Sequence, residues 1–481
     1  MVRLFGHHVP VPVAILALCE LCLFLLSLSV AVWLYPAFAH SSFNLDLLNN
    51  FTVIVLAAIN LACLFAAGLY KRDAIRIGTR MSLLLATATS LMVIAFAAYL
   101  LAYSAIYAYR FSNLYALVLL AVCIQLVLLF FIRAVFLTIF DIVGFKRCLL
   151  LLGEGPLVSK AQAWLAENER GYTDVIHYDS HHDSVWQQRV VPLRGTVVRS
   201  AAVATAPSLS PSHALPEFVH HHGVDEIVVA TMGTHAGSVW DLLDCRTRGV
   251  KVIDYLTFWE RETGRIDLDA IEPSWLVYSG GFRSNVLWRI LERSIDLLVS
   301  ILGLILMSPL MAIIALLIKL DSPGPIFYRQ ERVGKDDHPF QILKFRSMCA
   351  DAEQNGAPQW TELNDPRVTR VGGILRRTRL DELPQLVNVF KGEMSLVGPR
   401  PERPRFVSVF GRQIPFYGVR HSVRPGITGW AQINYKYAAS LEDAKRKLEY
   451  DLFYVKNRSV FLDLAILLQT FRIMLWQQGA Q

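Results

Sequence analysis

Four apolar runs stand at the start of the chain, roughly Val11–Tyr35, Phe51–Tyr70, Met81–Tyr107 and Leu114–Phe140. Each is long enough to cross a hydrocarbon core of about 30 Å as a helix. One water-soluble domain cannot hide so much apolar surface. The composition agrees: 54% of the 481 residues are hydrophobic and only 18% are charged, against about a quarter in soluble domains. The first run is too long for a removable signal peptide and lacks a small-residue cleavage pattern. Glu20 and Arg133 lie inside the first and fourth runs and are expected to face neighbouring helices.

The loops set an orientation. Lys71, Arg72, Arg76 and Arg80 crowd the second link, the first link (Pro36–Asn50) has no Lys or Arg, and the third has only Arg110. Excess positive charge stays cytoplasmic, so both ends of this four-helix bundle (residues 1–144) are expected in the cytoplasm. A fifth run, Leu297–Ile318, has Arg289 and Arg293 before it, Lys319 and Arg329 after it, and Ser308-Pro309 at its middle. Proline removes one helical hydrogen bond and clashes with the carbonyl of Ile305, and Ser308 can bond a freed carbonyl. A helix broken halfway with two positive flanks reads as a re-entrant hairpin, about 286–320. The C-terminal run Val460–Trp476, interrupted by Asp463, Gln469 and Arg472, reads as an interfacial or packing helix.

Between these lies a stretch of alternating strand and helix signals, 145–278, that reads as a small α/β domain of Rossmann-like type. Cys148–Glu167 is strand, glycine turn and helix; further strands are expected at Thr196–Val198, Asp225–Thr231 and Val250–Asp254, and a helix at Gly237–Arg248. Gly153 and Gly155 are followed by Val158 where a dinucleotide fingerprint needs a third glycine. His220–His222 reads as a loop, since three consecutive histidines cannot face one ion. The seven cysteines suggest neither a disulfide framework nor a zinc site. The net charge of +7 is spread over membrane flanks and short motifs, not one helix face, which argues against nucleic acid.

From 279 to 481 the sequence is dense in basic motifs: Lys344-Phe345-Arg346-Ser347-Met348, Asp365-Pro366-Arg367, Arg376, Leu380-Asp381-Glu382-Leu383-Pro384-Gln385, Val397-Gly398-Pro399-Arg400-Pro401 and Arg424-Pro425-Gly426. Guanidinium groups chelate phosphate oxygens in a bidentate way, so Lys344, Arg346, Arg367, Arg376, Arg400 and Arg424 are candidate phosphate ligands. In the Asp381-Glu382 pair, one carboxylate can attack phosphorus while the other holds a metal, Mg²⁺ being the one suited to bridging phosphates.

This segment resembles the catalytic domain of bacterial polyprenyl-phosphate hexose-1-phosphate transferases, the monotopic phosphoglycosyl transferases, and the whole chain resembles their large form. Glu260–Phe282 is similar to the branch from exopolysaccharide loci of exosortase-bearing bacteria. The resemblance implies a cytoplasmic-face enzyme of the bacterial inner membrane that opens the assembly of a polysaccharide repeat unit. Asp381 would attack a UDP-sugar, UMP would leave, and undecaprenyl phosphate would take the sugar-1-phosphate. Glu382 would ligate Mg²⁺, and Arg400 with other basic residues would bind phosphate or acceptor. Ser308 and Pro309 would break the re-entrant helix. The implied partners are the UDP-sugar, undecaprenyl phosphate and the bilayer, with a homodimer one open assembly and no nucleic acid. Glucose or galactose is the expected sugar on family grounds; no residue visibly reads a ring hydroxyl. Two other readings stay open: a membrane-tethered NAD-dependent sugar-nucleotide epimerase or dehydratase, and a non-catalytic scaffold for polysaccharide assembly.

Overall fold

The computed structural model describes residues 2–4, 7–9, 11–39, 50–66, 112–143, 147–167, 172–178, 189–190, 214–230, 239–279, 281–282, 286–349, 365, 367–435 and 440–476, with scattered positions between 88 and 99. Most of the third apolar run, the basic link after the second and the strand expected at Thr196–Val198 lie outside these residues. The chain divides into two compact units, Thr138–Ser279 and the remainder, Met1–Leu137 with Gly280–Gln481.

In the larger unit the helices α1 (Val11–Ala39), α2 (Asn50–Ala66) and α3 (Ser112–Val143) share a core of Phe24, Leu56, Leu64, Leu117 and Ala121, joined by Met92 and Phe96. Polar groups are buried in pairs. Glu20 and Arg133 form an ion pair at 2.5 Å, and Gln125 Nε2 donates to Asn60 Oδ1 at 2.8 Å. Large apolar side chains face outward instead, among them Leu18, Ile54, Val127, Phe131 and Trp33, the last 79% exposed. Paired charges inside a shell of Leu, Phe and Trp suit lipid, not water. The chain is a membrane protein. Among the described residues two helices, Ile15–Leu34 and Val286–Asp321, are long and apolar enough to cross a bilayer; Thr52–Leu64 and Leu117–Arg133 are apolar but shorter.

The smaller unit is a five-stranded sheet of β1 (Arg147–Leu152), β2 (Tyr172–Tyr178), β3 (Arg189–Val190), β4 (Glu226–Val229) and β5 (Lys251–Asp254), in the order β3-β2-β1-β4-β5. All neighbours are parallel except β2 and β3. The central strand reads as four leucines because both of its faces are covered. Leu149 and Leu151 pack with Leu157 and Ala161 of α4 (Pro156–Glu167) and with Phe258 and Trp259. Leu150 and Leu152, pointing the other way, pack with Leu215 and Val219 of α5 (Ala214–His221) and Cys245 of α6 (Val239–Thr247). The loop reading of His220–His222 needs correction: His220 and His221 close α5, and the His222 ring stacks on Phe218, their centroids 4.2 Å apart. One helical turn sets His222 over Phe218, a pairing that a residue-by-residue reading overlooks. At the end of α7 (Tyr255–Thr263), Arg261 meets buried Glu226 through both nitrogens, at 2.5 and 2.9 Å.

In the larger unit α8 (Val286–Asp321) runs helical through Pro309, where a break was expected. The Ser308 hydroxyl donates to the Ile305 carbonyl at 2.7 Å, satisfying the acceptor that proline leaves without a partner. A hairpin of β6 (Phe327–Val333) and β7 (Pro339–Phe345) follows, then α9 (Arg370–Thr378), α10 (Gln385–Lys391), β8 (Ser395–Val397), α11 (Pro404–Gln413), β9 (Gly426–Thr428), α12 (Leu441–Asn457) and α13 (Val460–Trp476). Parallel β8 and β9 approach so closely that only glycine fits: a Cβ on Gly426 would lie 2.1 Å from Gly398 N, and one on Gly429 would lie 2.2 Å from Gly398 O. Leu462 and Ile466 of α13 are buried against this core, and Leu468 packs on the core of α1–α3. The C-terminal run is a packing helix.

Candidate active site

The site is built where β7, α9 and α10 meet. Strand alternation puts Phe340, Ile342 and Lys344 on one face of β7; the first two enter the core and Lys344, at the strand end, reaches the site. Asn388, buried on α10, fixes the spacing: its Oδ1 accepts from Leu343 N at 3.0 Å and its Nδ2 donates to Gln341 O at 2.8 Å. The helix α9 starts on Thr369, whose hydroxyl accepts from Gly372 N at 3.0 Å. Gly372 is required because a Cβ there would lie 2.0 Å from the Ser347 carbonyl oxygen.

Arg379, with φ of 56°, ends α9 in the left-handed region. That conformation costs a non-glycine residue about 1–2 kcal/mol, and it turns the chain straight into a 3₁₀ turn over Leu380–Glu382. Leu380 and Leu383 pin the turn by packing with Ile314, Ile318, Phe345 and Leu375. Between them, Asp381 and Glu382 face the polar side.

The two carboxylates are held differently. Glu382 Oε1 accepts from Lys344 Nζ and from Arg400 Nη2, both at 2.7 Å. Burial alone would raise its carboxyl; Arg400 and Lys344 outweigh burial and hold it well below the usual carboxylate range. Asp381 is only 8% exposed, and it forms no hydrogen bond or salt bridge among the described residues. Burial pushes its carboxyl up, while Lys344 acts the other way. Burial also lowers the Lys344 ammonium, against the pull of Glu382. One carboxylate is therefore clamped and anionic, and its neighbour is uncommitted.

The structure gathers Lys344, Asp381, Glu382 and Arg400, with half-buried Arg376 acting on Asp381 through its charge. Two other candidates, Arg346 and Arg367, are engaged elsewhere, and Arg424 does not join the Glu382 clamp. Arg346 donates to Ser322 O at 2.7 Å, Ser322 Oγ at 2.8 Å and Pro323 O at 2.8 Å, bracing the end of α8. Arg367 forms a fork with Asp365, at 2.8 and 2.6 Å. The charge of Arg424 acts on Glu292 and Asp296 of α8. Sequence reasoning missed Asn388, Arg420 and Asp451. Asn388 had a signal, as one of two amides, with Gln385, on the buried side of QLVNVFK; the others are read only from distant contacts.

Among the described residues no three His, Cys, Asp or Glu form a cluster. The donor set still fits Mg²⁺, which is held by one or two carboxylates together with substrate phosphates. Glu382 Oε2 has no partner among the described residues, and the charges of Glu382 and Asp381 act on one another.

Residues 287–477 match the model of the bacterial sugar transferase family. A UDP-N-acetylgalactosamine-undecaprenyl-phosphate N-acetylgalactosaminephosphotransferase from Aeromonas hydrophila is 43% identical over 259 residues, 53% of this chain and 60% of that one. A UDP-glucose:undecaprenyl-phosphate glucose-1-phosphate transferase from Escherichia coli (strain K12) is 46% identical over 184 residues, 38% of this chain and 39% of that one. The exopolysaccharide production protein PSS of Rhizobium leguminosarum bv. phaseoli is 42% identical over 187 residues, 38% of this chain and 93% of that one. The chain thus spans less than two thirds of the first two relatives and nearly all of the third.

Proposed function

Because this chain belongs to the bacterial sugar transferase family, we propose that it moves a hexose-1-phosphate from a UDP-sugar to undecaprenyl phosphate and releases UMP. The observation that carries this is the asymmetry of the carboxylate pair, with Asp381 uncommitted beside a Glu382 held by Lys344 and Arg400. An Asp381 oxygen attacks the β-phosphorus of the donor. The bond from that phosphorus to the bridging oxygen breaks, and its electron pair leaves with UMP. The sugar phosphate remains on Asp381 as an acyl-phosphate. A phosphate oxygen of undecaprenyl phosphate then attacks the same phosphorus, and the Asp381 carboxylate leaves unchanged. Lys344 and Arg400 offset the charge of Glu382 and of the incoming diphosphate. Bound through Glu382 and the donor phosphates, Mg²⁺ would neutralise charge on the departing UMP.

We place the site on the cytoplasmic face of the bacterial inner membrane, in a chain anchored by four transmembrane helices. We read α8 as re-entrant. Asp296, in its first half, accepts from Ser395 Oγ at 3.1 Å and Leu396 N at 3.0 Å; Ile314 and Ile318, in its second half, pack on Phe345 and Leu375. Between these anchors Leu302, Ile305 and Leu306 are exposed. A straight helix of 36 residues would be about 54 Å long; a proline bend at Ser308-Pro309 that keeps the helix continuous would let it dip and return so that both halves serve one catalytic fold. Soluble donor and lipid acceptor then meet at the interface.

The test is UMP release by the purified chain with Mg²⁺, undecaprenyl phosphate and a panel of UDP-glucose, UDP-galactose and UDP-N-acetylgalactosamine. The last enters because the Aeromonas relative is named for it. Release with one sugar, lost in Asp381→Asn, is the expected result; turnover near wild type in that variant would refute the covalent scheme.

A further inference from the structure

Resting on that reading, the geometry points to a second layer of residues that aims Arg400. Its fork must meet Glu382 on one side and substrate phosphate on the other, so the backbone carrying it has to be fixed. Three successive carbonyls do this. Arg400 O accepts from Arg420 Nη2 at 2.8 Å, Pro401 O from Arg332 Nη1 at 3.0 Å, and Glu402 O from Val333 N at 2.9 Å. Lys447 of α12 holds the Glu402 side chain in an ion pair. Arg420 is itself fixed: its Nη1 donates to Tyr417 Oη at 2.8 Å, and its Nη2 lies 2.8 Å from Asp451 Oδ2. Arg420 is 3% exposed and Asp451 is 1% exposed.

A buried guanidinium with a buried carboxylate is an expensive way to hold one loop, since two packed apolar side chains serve stability as well or better. What the pair supplies is direction: Nη2 meets the Arg400 carbonyl and Asp451 while Nη1 of the same plane meets Tyr417, a spread of donors that neither lysine nor an apolar residue reproduces. We propose that Arg420, backed by Asp451, is a positioning residue for Arg400 and acts on the reaction only through it.

The test measures kcat and KM for UMP release in Arg420→Lys and Asp451→Asn, and then Arg420→Lys in an Arg400→Lys background. Arg420→Lys should lower kcat about 10- to 100-fold, the loss that a small misplacement of a catalytic group brings, with KM for the donor changed less than about 3-fold. In the Arg400→Lys background the same change should cost less than about 2-fold, because nothing remains to be aimed. A merely structural role would give equal losses in both backgrounds and would overturn the proposal, as would Arg420→Lys at wild-type turnover. If Arg420→Lys no longer elutes as a single folded species, Asp451→Asn, which keeps the shape of the side chain, carries the same comparison. Absence of UMP release by the wild-type chain would instead overturn the transferase reading and this inference with it.

Discussion

Gly426→Ala tests whether the Gly398 and Gly426 motifs serve packing or substrate. A Cβ at 426 would lie 2.1 Å from Gly398 N and 2.4 Å from Thr428 O, and both neighbours are backbone. Relief needs a displacement of about 1 Å between β8 and β9. It endangers two hydrogen bonds, Gly398 N to Thr428 O at 2.9 Å and Gly426 N to Pro399 O at 3.0 Å. Overpacking costs about 1–3 kcal/mol, and each weakened bond about 1 kcal/mol. The sum is about 3–5 kcal/mol, a fall in melting temperature of roughly 4–7 °C for the larger unit, Met1–Leu137 with Gly280–Gln481. Gly411 in α11 is the control, because a Cβ there meets nothing within 4 Å; Gly411→Ala should be neutral or stabilise by up to about 1 kcal/mol. The assay is a fluorescence melt of both variants in the same detergent, followed by UMP release below the lower transition. Equal melting of Gly426→Ala and wild type, with donor KM raised, would show that the glycine serves the substrate and would refute the packing argument.

Two further outcomes follow from the buried charges. The Glu402 carboxyl is held down from 4.5 to about 2: burial opposes this, but Lys447, Arg420 and Arg332 prevail. A lowered folded value means stability that is present above about pH 4.5 and lost as pH falls towards 2, of order 3 kcal/mol. The stability gap between wild type and Glu402→Gln in denaturant titrations should therefore close between pH 5 and 2.5, roughly; a gap independent of pH would count against the ion pair. Arg346→Met leaves the carbonyls of Ser322 and Pro323 without their donor. It should cost about 2–5 kcal/mol of stability while changing donor KM by less than about 3-fold; a KM raised ten-fold with normal melting would return Arg346 to the substrate.

What could be read in the sequence depended on range. Apolar runs and the four leucines of β1 announce themselves locally, because length and composition decide them. The Asp381-Glu382 pair and Arg400 stand out by chemistry and neighbours. Arg346 and Arg424 look the same in sequence as Arg400, yet the first is spent on carbonyls some twenty residues earlier and the second does not join the Glu382 clamp. Arg420 and Asp451 lie on different elements and carry no motif that pairs them. A guanidinium advertises its capacity for forks, and only the fold says whether the fork meets a phosphate, a carbonyl or another side chain.

The grip of Arg293 on α10 has a mechanical consequence. Its Nη1 and Nη2 donate to the carbonyls of Val389 and Phe390, each at 2.7 Å, closing the far end of the short helix that begins just beyond Asp381-Glu382. Seven residues of helix make a strut about 10 Å long. If α8 floats in lipid as read above, this strut sets the altitude of Asp381 over the headgroups. Hydrocarbon thickness changes how deep such a helix rides. Under the proposed transfer the acceptor phosphate would travel with the headgroups, and bilayer thickness would become a kinetic variable with no residue altered.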